Sequence, residues 1–169
     1  MGIFDIFSRK APPIARKNQP VSKSVSQANN DRTLKEEKFY AVGTSYYAKS
    51  FRLLAETTPD WKLSDKRLAE EDKVGCKIYR YRYINKPVKL IPEPTNKHDR
   101  NAVQVVIAGE LVGYISQDDN KKVLDILNHR EIKYISSFIS GGEYKVASYK
   151  AGSIKKEETI KVSVKIGYV

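Results

Sequence analysis

Leu90-Ile91-Pro92-Glu93-Pro94-Thr95-Asn96-Lys97-His98-Asp99-Arg100-Asn101-Ala102-Val103-Gln104-Val105, followed by Val112-Gly113-Tyr114-Ile115, is the stretch on which the fold turns. It reads as a strand, a rigid polar bend and a hairpin. Pro92 and Pro94 lack the backbone N–H that a ladder requires, so the strand expected over Val88 to Ile91 has to stop there. Asn96, Asp99 and Asn101 carry short polar side chains that bond nearby backbone and hold an irregular loop in one shape. Val103 to Ala108 and Leu111 to Ile115 then flank Gly109-Glu110, expected as a tight two-residue turn because glycine at the first turn position supplies a positive φ.

Working outward, Ser116 is expected to cap a helix running to about Asn128, with Val123, Leu124, Ile126 and Leu127 as its apolar stripe. Ile132 to Ile139 and Glu143 to Tyr149 read as strands joined at Gly141-Gly142, and Lys161 to Ile166 as the last strand. Upstream, Lys77 to Ile84 sets Tyr79, Tyr81 and Tyr83 against Arg80 and Arg82, the two-residue period of a strand. Lys38 to Gly43 reads as the first strand and Ser50 to Glu56 as a short helix ending before Pro59. Ser64 is placed to cap another over Asp65 to Asp72. Strands with only two or three short helices predict a mainly β (α+β) domain, a small antiparallel barrel with helices at its rim.

The 169 residues allow one core of ordinary size plus a tail. Residues 8 to 37 hold Pro12, Pro13 and Pro20, scattered Lys and Arg, and no aromatic residue. Such a stretch cannot bury enough apolar area to offset its ordering entropy, so residues 1–37 are expected as a disordered basic leader and 38–169 as the domain. At the leader's start, Ile3, Phe4, Ile6 and Phe7 would share a face of a helical turn, a docking point for a protein partner or a membrane surface. No apolar run is long enough to span a bilayer, so no transmembrane segment is expected.

Charge is the strongest bulk signal: 31 Lys and Arg against 20 acidic residues give +11. Cationic groups brought to phosphates release condensed counterions, which favours a polyanionic partner. Cys76 is the only cysteine, so a disulfide framework, a thiolate zinc site and a CxxC redox pair are all excluded, as suits a reducing cytoplasm. His98 and His129 are too few for a histidine-rich metal site, and no cofactor is expected.

The motif around Asp99 resembles the HIRAN domain family: an acidic-Pro pair, Asn, a two-residue gap, Asp, one residue, Asn-Ala, an aliphatic strand, then Val-Gly-Tyr. Val42-Gly43-Thr44-Ser45-Tyr46-Tyr47 upstream and Ile139-Ser140-Gly141-Gly142 downstream extend the resemblance over roughly residues 39 to 169. The resemblance implies an OB-like antiparallel β-barrel. In a eukaryotic fork-remodelling ATPase that carries it, the domain grips the free 3′-hydroxyl end of single-stranded DNA. Carried onto this chain, Tyr46 matches an aromatic that stacks on a terminal base, and Asp99 a carboxylate that accepts from the 3′-hydroxyl. His98 falls where the eukaryotic domain has Tyr, and Tyr114 where it has His. Ser45 replaces an Arg and Gln117 a phosphate-facing Lys; both changes remove a positive group.

The expected partner is therefore single-stranded DNA, or RNA. The expected contacts are Tyr46, Tyr47, Lys97, His98, Asp99, Arg100, Tyr114, Gln117 and Lys121, with Lys122 as a further source of charge. Aromatic faces stack on bases while basic groups track the backbone. These residues also have plain structural readings, Tyr46 or Tyr47 as core and Asp99 as a loop brace, and the Tyr79–Tyr83 ladder with Arg80 and Arg82 reads either as a second nucleic-acid surface or as one packed and one solvated face. Catalysis is not expected. His98 beside Asp99 has no activated Ser or Cys, and Glu93, Asp99, Asp118 and Asp119 lack a fixed metal-ligand spacing. The other expectation is an accessory protein-interaction module tethered by its N-terminal segment.

Overall fold

The computed structural model describes residues 33–149 and 152–169. The apolar segment Ile3 to Phe7 and the expected leader up to residue 32 lie outside the described residues.

Among the described residues, nine strands and three α-helices follow in chain order: β1 (Lys35–Val42), α1 (Ala48–Leu54), β2 (Ala55–Thr57), α2 (Asp65–Glu70), β3 (Lys77–Tyr79), β4 (Tyr81–Tyr83), β5 (Val88–Pro92), β6 (Val103–Ile107), β7 (Glu110–Ile115), α3 (Gln117–His129), β8 (Ile132–Val146) and β9 (Ile154–Tyr168). Seven strands form one antiparallel sheet in the order β3-β8-β9-β1-β7-β6-β5, and β2 pairs with β4 in a separate ribbon. The mainly β class with few short helices is as expected. The large sheet stays open between its edge strands β3 and β5, an arrangement compatible with an OB-like fold but not a closed barrel.

One face of the sheet is apolar because the strand period is two. Phe39 of β1, Val162, Val164 and Ile166 of β9, Val103 and Val105 of β6, and Val112 and Ile115 of β7 all bury their side chains. Val123 and Ile126 of α3 and Phe51 and Leu54 of α1 close the same core. Full burial of each such side chain contributes roughly 1.5–3 kcal/mol. A second small cluster joins Leu68 of α2 to Ile78 and Ala147.

Four local expectations need correction. β1 starts at Lys35, three residues early: Lys35, Glu36 and Glu37 pair with Tyr168, Gly167 and Ile166, and their charge had masked a strand. The hairpin turn is Ala108-Gly109, with φ of 49° and 89°, and Glu110 already pairs with Ile107. Two positive φ values match the twist of the flanking strands, and Ala108 adopts the left-handed region at some cost. Gly141 and Gly142 do not end a strand. They sit within β8 at a register shift against β9, each at positive φ, because a bulge and a turn ask the same freedom of glycine. Finally, Lys77 to Ile84 is two strands. Arg80 bonds backbone to Glu143 on one side and to Thr58 on the other, handing the chain from the large sheet to the ribbon.

Candidate nucleic-acid interface

At the end of β1, Gly43 takes φ 71°, a left-handed conformation that turns the chain into a single 3-10 turn, Thr44–Tyr47. The Thr44 hydroxyl donates to the Ile160 carbonyl of β9 at 2.9 Å and pins that turn to the sheet. Two adjacent tyrosines on so tight a turn point apart. Tyr47 packs against the core, while Tyr46 is 88% exposed.

Opposite this turn lies the bend after β5, closed at its base where the Glu93 N–H donates to the Ala102 carbonyl. Asn96 Oδ1 accepts from the N–H groups of His98 and Asp99, and Asp99 Oδ1 accepts from the Asn101 N–H at 2.8 Å. The Asx side chains thus brace the loop as their type predicts. Asp99 also reaches across the molecule: its Oδ2 accepts from Asn120 Nδ2 of α3 at 2.7 Å. The sequence reading missed Asn120, a buried polar residue on a helix whose pattern drew attention only to its apolar stripe. Its own side-chain oxygen has no partner. A carboxylate has about four acceptor directions, so two bonds leave Asp99 able to accept another hydroxyl.

Gly113 explains the centre of the Val-Gly-Tyr motif. A Cβ there would lie 2.7 Å from the Val42 carbonyl oxygen, so only glycine lets β7 lie against β1 at this point. Beyond it, the Tyr114 hydroxyl bonds the Glu93 carboxylate. Hydrogen bonds from Asn96, Gln104 and Tyr114 hold the Glu93 carboxyl below its ordinary value, and burial with the Glu93 contact raises the Tyr114 hydroxyl. Ser116 stands at the start of α3 as expected, but its hydroxyl donates to the Asp119 carboxylate at 2.7 Å rather than accepting from backbone.

These pieces enclose an open cleft of about 530 Å³ lined by Tyr46, Tyr47, His98, Asp99, Tyr114 and Gln117, with Asn120 at its floor. That volume is within the range of small-ligand sites. Lys97, Arg100 and Lys121 are exposed and are not among the lining residues. They flank the cleft in sequence, Lys97 and Arg100 on the bend and Lys121 one turn beyond Gln117 on α3. None of the three has an ion pair among the described residues. Lys122 is different: it pairs with Glu37 of β1, so its charge is already engaged.

The Tyr79–Tyr83 ladder lines a second cleft of about 460 Å³, where Phe138 stands at the rim. Its cations are engaged, Lys77 with Glu158, Arg80 with Glu143 at 2.6 Å and Arg82 with Glu56 at 3.3 Å. Among the described residues no group of three or more His, Cys, Asp or Glu side chains is placed to hold a metal ion. No described helix is long and apolar enough to cross a membrane.

Comparison with curated proteins and with solved structures returned no match. The HIRAN domain family model matches residues 36–166, from the second residue of β1 to two residues before the end of β9, and takes in both walls of the Asp99 cleft. With most of its length matched, the chain belongs to the HIRAN domain family, a family of nucleic-acid-binding modules.

Proposed function

We propose that the Asp99 cleft holds the free 3′-hydroxyl end of a single-stranded nucleic acid, DNA in the first instance, without chemistry on it. The observation that carries this reading is the meeting of an almost fully exposed ring, Tyr46, and a half-buried carboxylate, Asp99, in one cleft. A terminal base stacks on Tyr46, a contact worth about 1–3 kcal/mol. The terminal hydroxyl donates to Asp99, whose position Asn101 and Asn120 fix. Lys97, Arg100 and Lys121 supply the charge that Ser45 and Gln117 do not, reaching phosphates from outside the cleft.

The test is a titration of a fluorescent single-stranded oligonucleotide bearing a 3′-hydroxyl against the same strand bearing a 3′-phosphate, across a series of salt concentrations. A 3′-phosphate places negative charge against the Asp99 carboxylate, so the hydroxyl end is expected to bind more tightly, and both affinities to fall steeply with salt. Affinity indifferent to salt and to end chemistry would defeat the proposal.

A further inference from the structure

Beyond the cleft, we infer that the solvent face of the large sheet is a stacking platform for the nucleotides upstream of the held end. This rests on the reading of the cleft just given for its direction, though not for its residues. The registers settle which side chains share this face. Tyr40 of β1 and Phe138 of β8 are both paired with Ser163 of β9, so the three form one row across adjacent strands. Lys38, Lys165 and Ser136 form the parallel row two residues along, and Lys161 stands opposite Ser140 on the other side. The alternate residues Phe39, Val162 and Val164 are in the core, so this row points away from it.

Three properties set the face apart from ordinary half-solvated sheet. Two large rings are exposed, Tyr40 at 56% and Phe138 at 67%. They are separated by the small, buried Ser163, two strand spacings or roughly 10 Å apart, so neither ring covers the other. Lysines border them: Lys38 lies 5.3 Å from the centre of the Tyr40 ring, and neither Lys38 nor Lys161 has an ion pair among the described residues, whereas Lys165 is engaged by Glu36. Exposed rings interleaved with unpaired cations are what a single strand requires, a π-face for each base and a charge for the backbone.

The face is also continuous with the cleft. Val42, two residues beyond Tyr40 on the same side of β1, pairs with Tyr114, and Val42 and Tyr114 both line the cleft. A strand whose last base rests on Tyr46 therefore has a path across Val42 to Tyr40 and on to Phe138, which stands at the rim of the second cleft.

Oligonucleotides of two, four, six and eight nucleotides with free 3′-hydroxyl ends, titrated against the full chain, test this. Affinity should rise with length by tenfold or more, and Tyr40→Ala with Phe138→Ala should remove that rise while leaving dinucleotide binding and its preference for the hydroxyl end intact. Lys161→Glu, an exposed change that spares the rings, should lower affinity for the eight-nucleotide strand several-fold and not for the dinucleotide. Dinucleotide binding with no gain from length, or a gain that survives both the ring and the lysine variants, overturns the platform and leaves the cleft standing. A length gain lost in the ring variant without any end preference supports the platform and defeats the cleft. Absence of binding at every length defeats both.

Discussion

The Asp99 cleft and the ladder cleft both carry aromatic rings, and their cations distinguish them. Around Asp99, Lys97, Arg100 and Lys121 have no carboxylate partner among the described residues, whereas along the Tyr79–Tyr83 ladder Lys77, Arg80 and Arg82 each meet a glutamate. A polyanion entering the first site gains uncompensated attraction and releases counterions; entering the second, it would have to displace carboxylates already in place. The difference teaches that aromatic-basic alternation in a sequence does not by itself tell whether its cations are free to meet a phosphate. What counts is whether the cations are already spent within the fold. Trp61, near Arg80, Lys145 and Lys155, reinforces the structural character of the ladder side.

The largest contrast is expected from Asp99→Ala. It strips the Asn101 N–H and the buried Asn120 amide of their acceptor, which costs stability about 1–3 kcal/mol in a urea unfolding series, and it should abolish preference for a hydroxyl end. Asp99→Asn keeps an oxygen for the Asn101 N–H, so it should recover much of the stability but not the end preference. Next, Tyr46→Ala should weaken oligonucleotide binding by about 1–3 kcal/mol with unfolding unchanged, since that ring is exposed. On the other side, Tyr81→Ala should leave affinity within error. Equal losses from the two tyrosines would erase the distinction between the clefts.

The two clefts are legible in the sequence to different depths. The bend and the positions of the hairpin and of the α3 start are plain in residue types because Pro, Asn, Asp and Gly act through their own backbone, although the hairpin turn shifts by one residue and Ser116 bonds Asp119 instead of capping. Tyr46 and Asp99 come together in the cleft, and the sequence leaves open which of Tyr46 and Tyr47 enters the core, a choice the 3-10 turn makes by sending Tyr47 inward. Asn120 and the engaged state of Lys122 could not be found this way, since both depend on pairings between residues far apart in the chain: Asp99 with Asn120 and Glu37 with Lys122. The charge compensation of the ladder is hidden for the same reason, because Glu143, Glu158 and Glu56 reach it from β8, β9 and β2.

Smaller effects sharpen the picture. Replacing Lys97, Arg100 or Lys121 with Ala should each reduce the slope of log affinity against log salt by about 0.7, the single-strand value per phosphate contact, whereas Arg82→Ala should not change it. The smallest expected effect is on acid stability. Hydrogen bonds from Asn96, Gln104 and Tyr114 depress the Glu93 carboxyl in the folded chain below its ordinary 4.5. Its contribution is therefore present above that value and lost as pH falls through the depressed one. Glu93→Gln should flatten the acid side of a plot of denaturation midpoint against pH, with the change confined below about pH 5. An unaltered profile would mean that the Glu93 contacts stabilise nothing.

Gly113 has a consequence for how selectivity is divided in this molecule. Its missing side chain lets the main chain of β7 abut the Val42 carbonyl, so the spacing between the two walls is dictated by backbone alone. On the proposed function, ligand preference is then open to retuning at the tips, through His98, Gln117 or Tyr46, while the aperture keeps its width. A methyl group at Gly113 would act on the opposite variable, forcing the walls apart for every ligand at once.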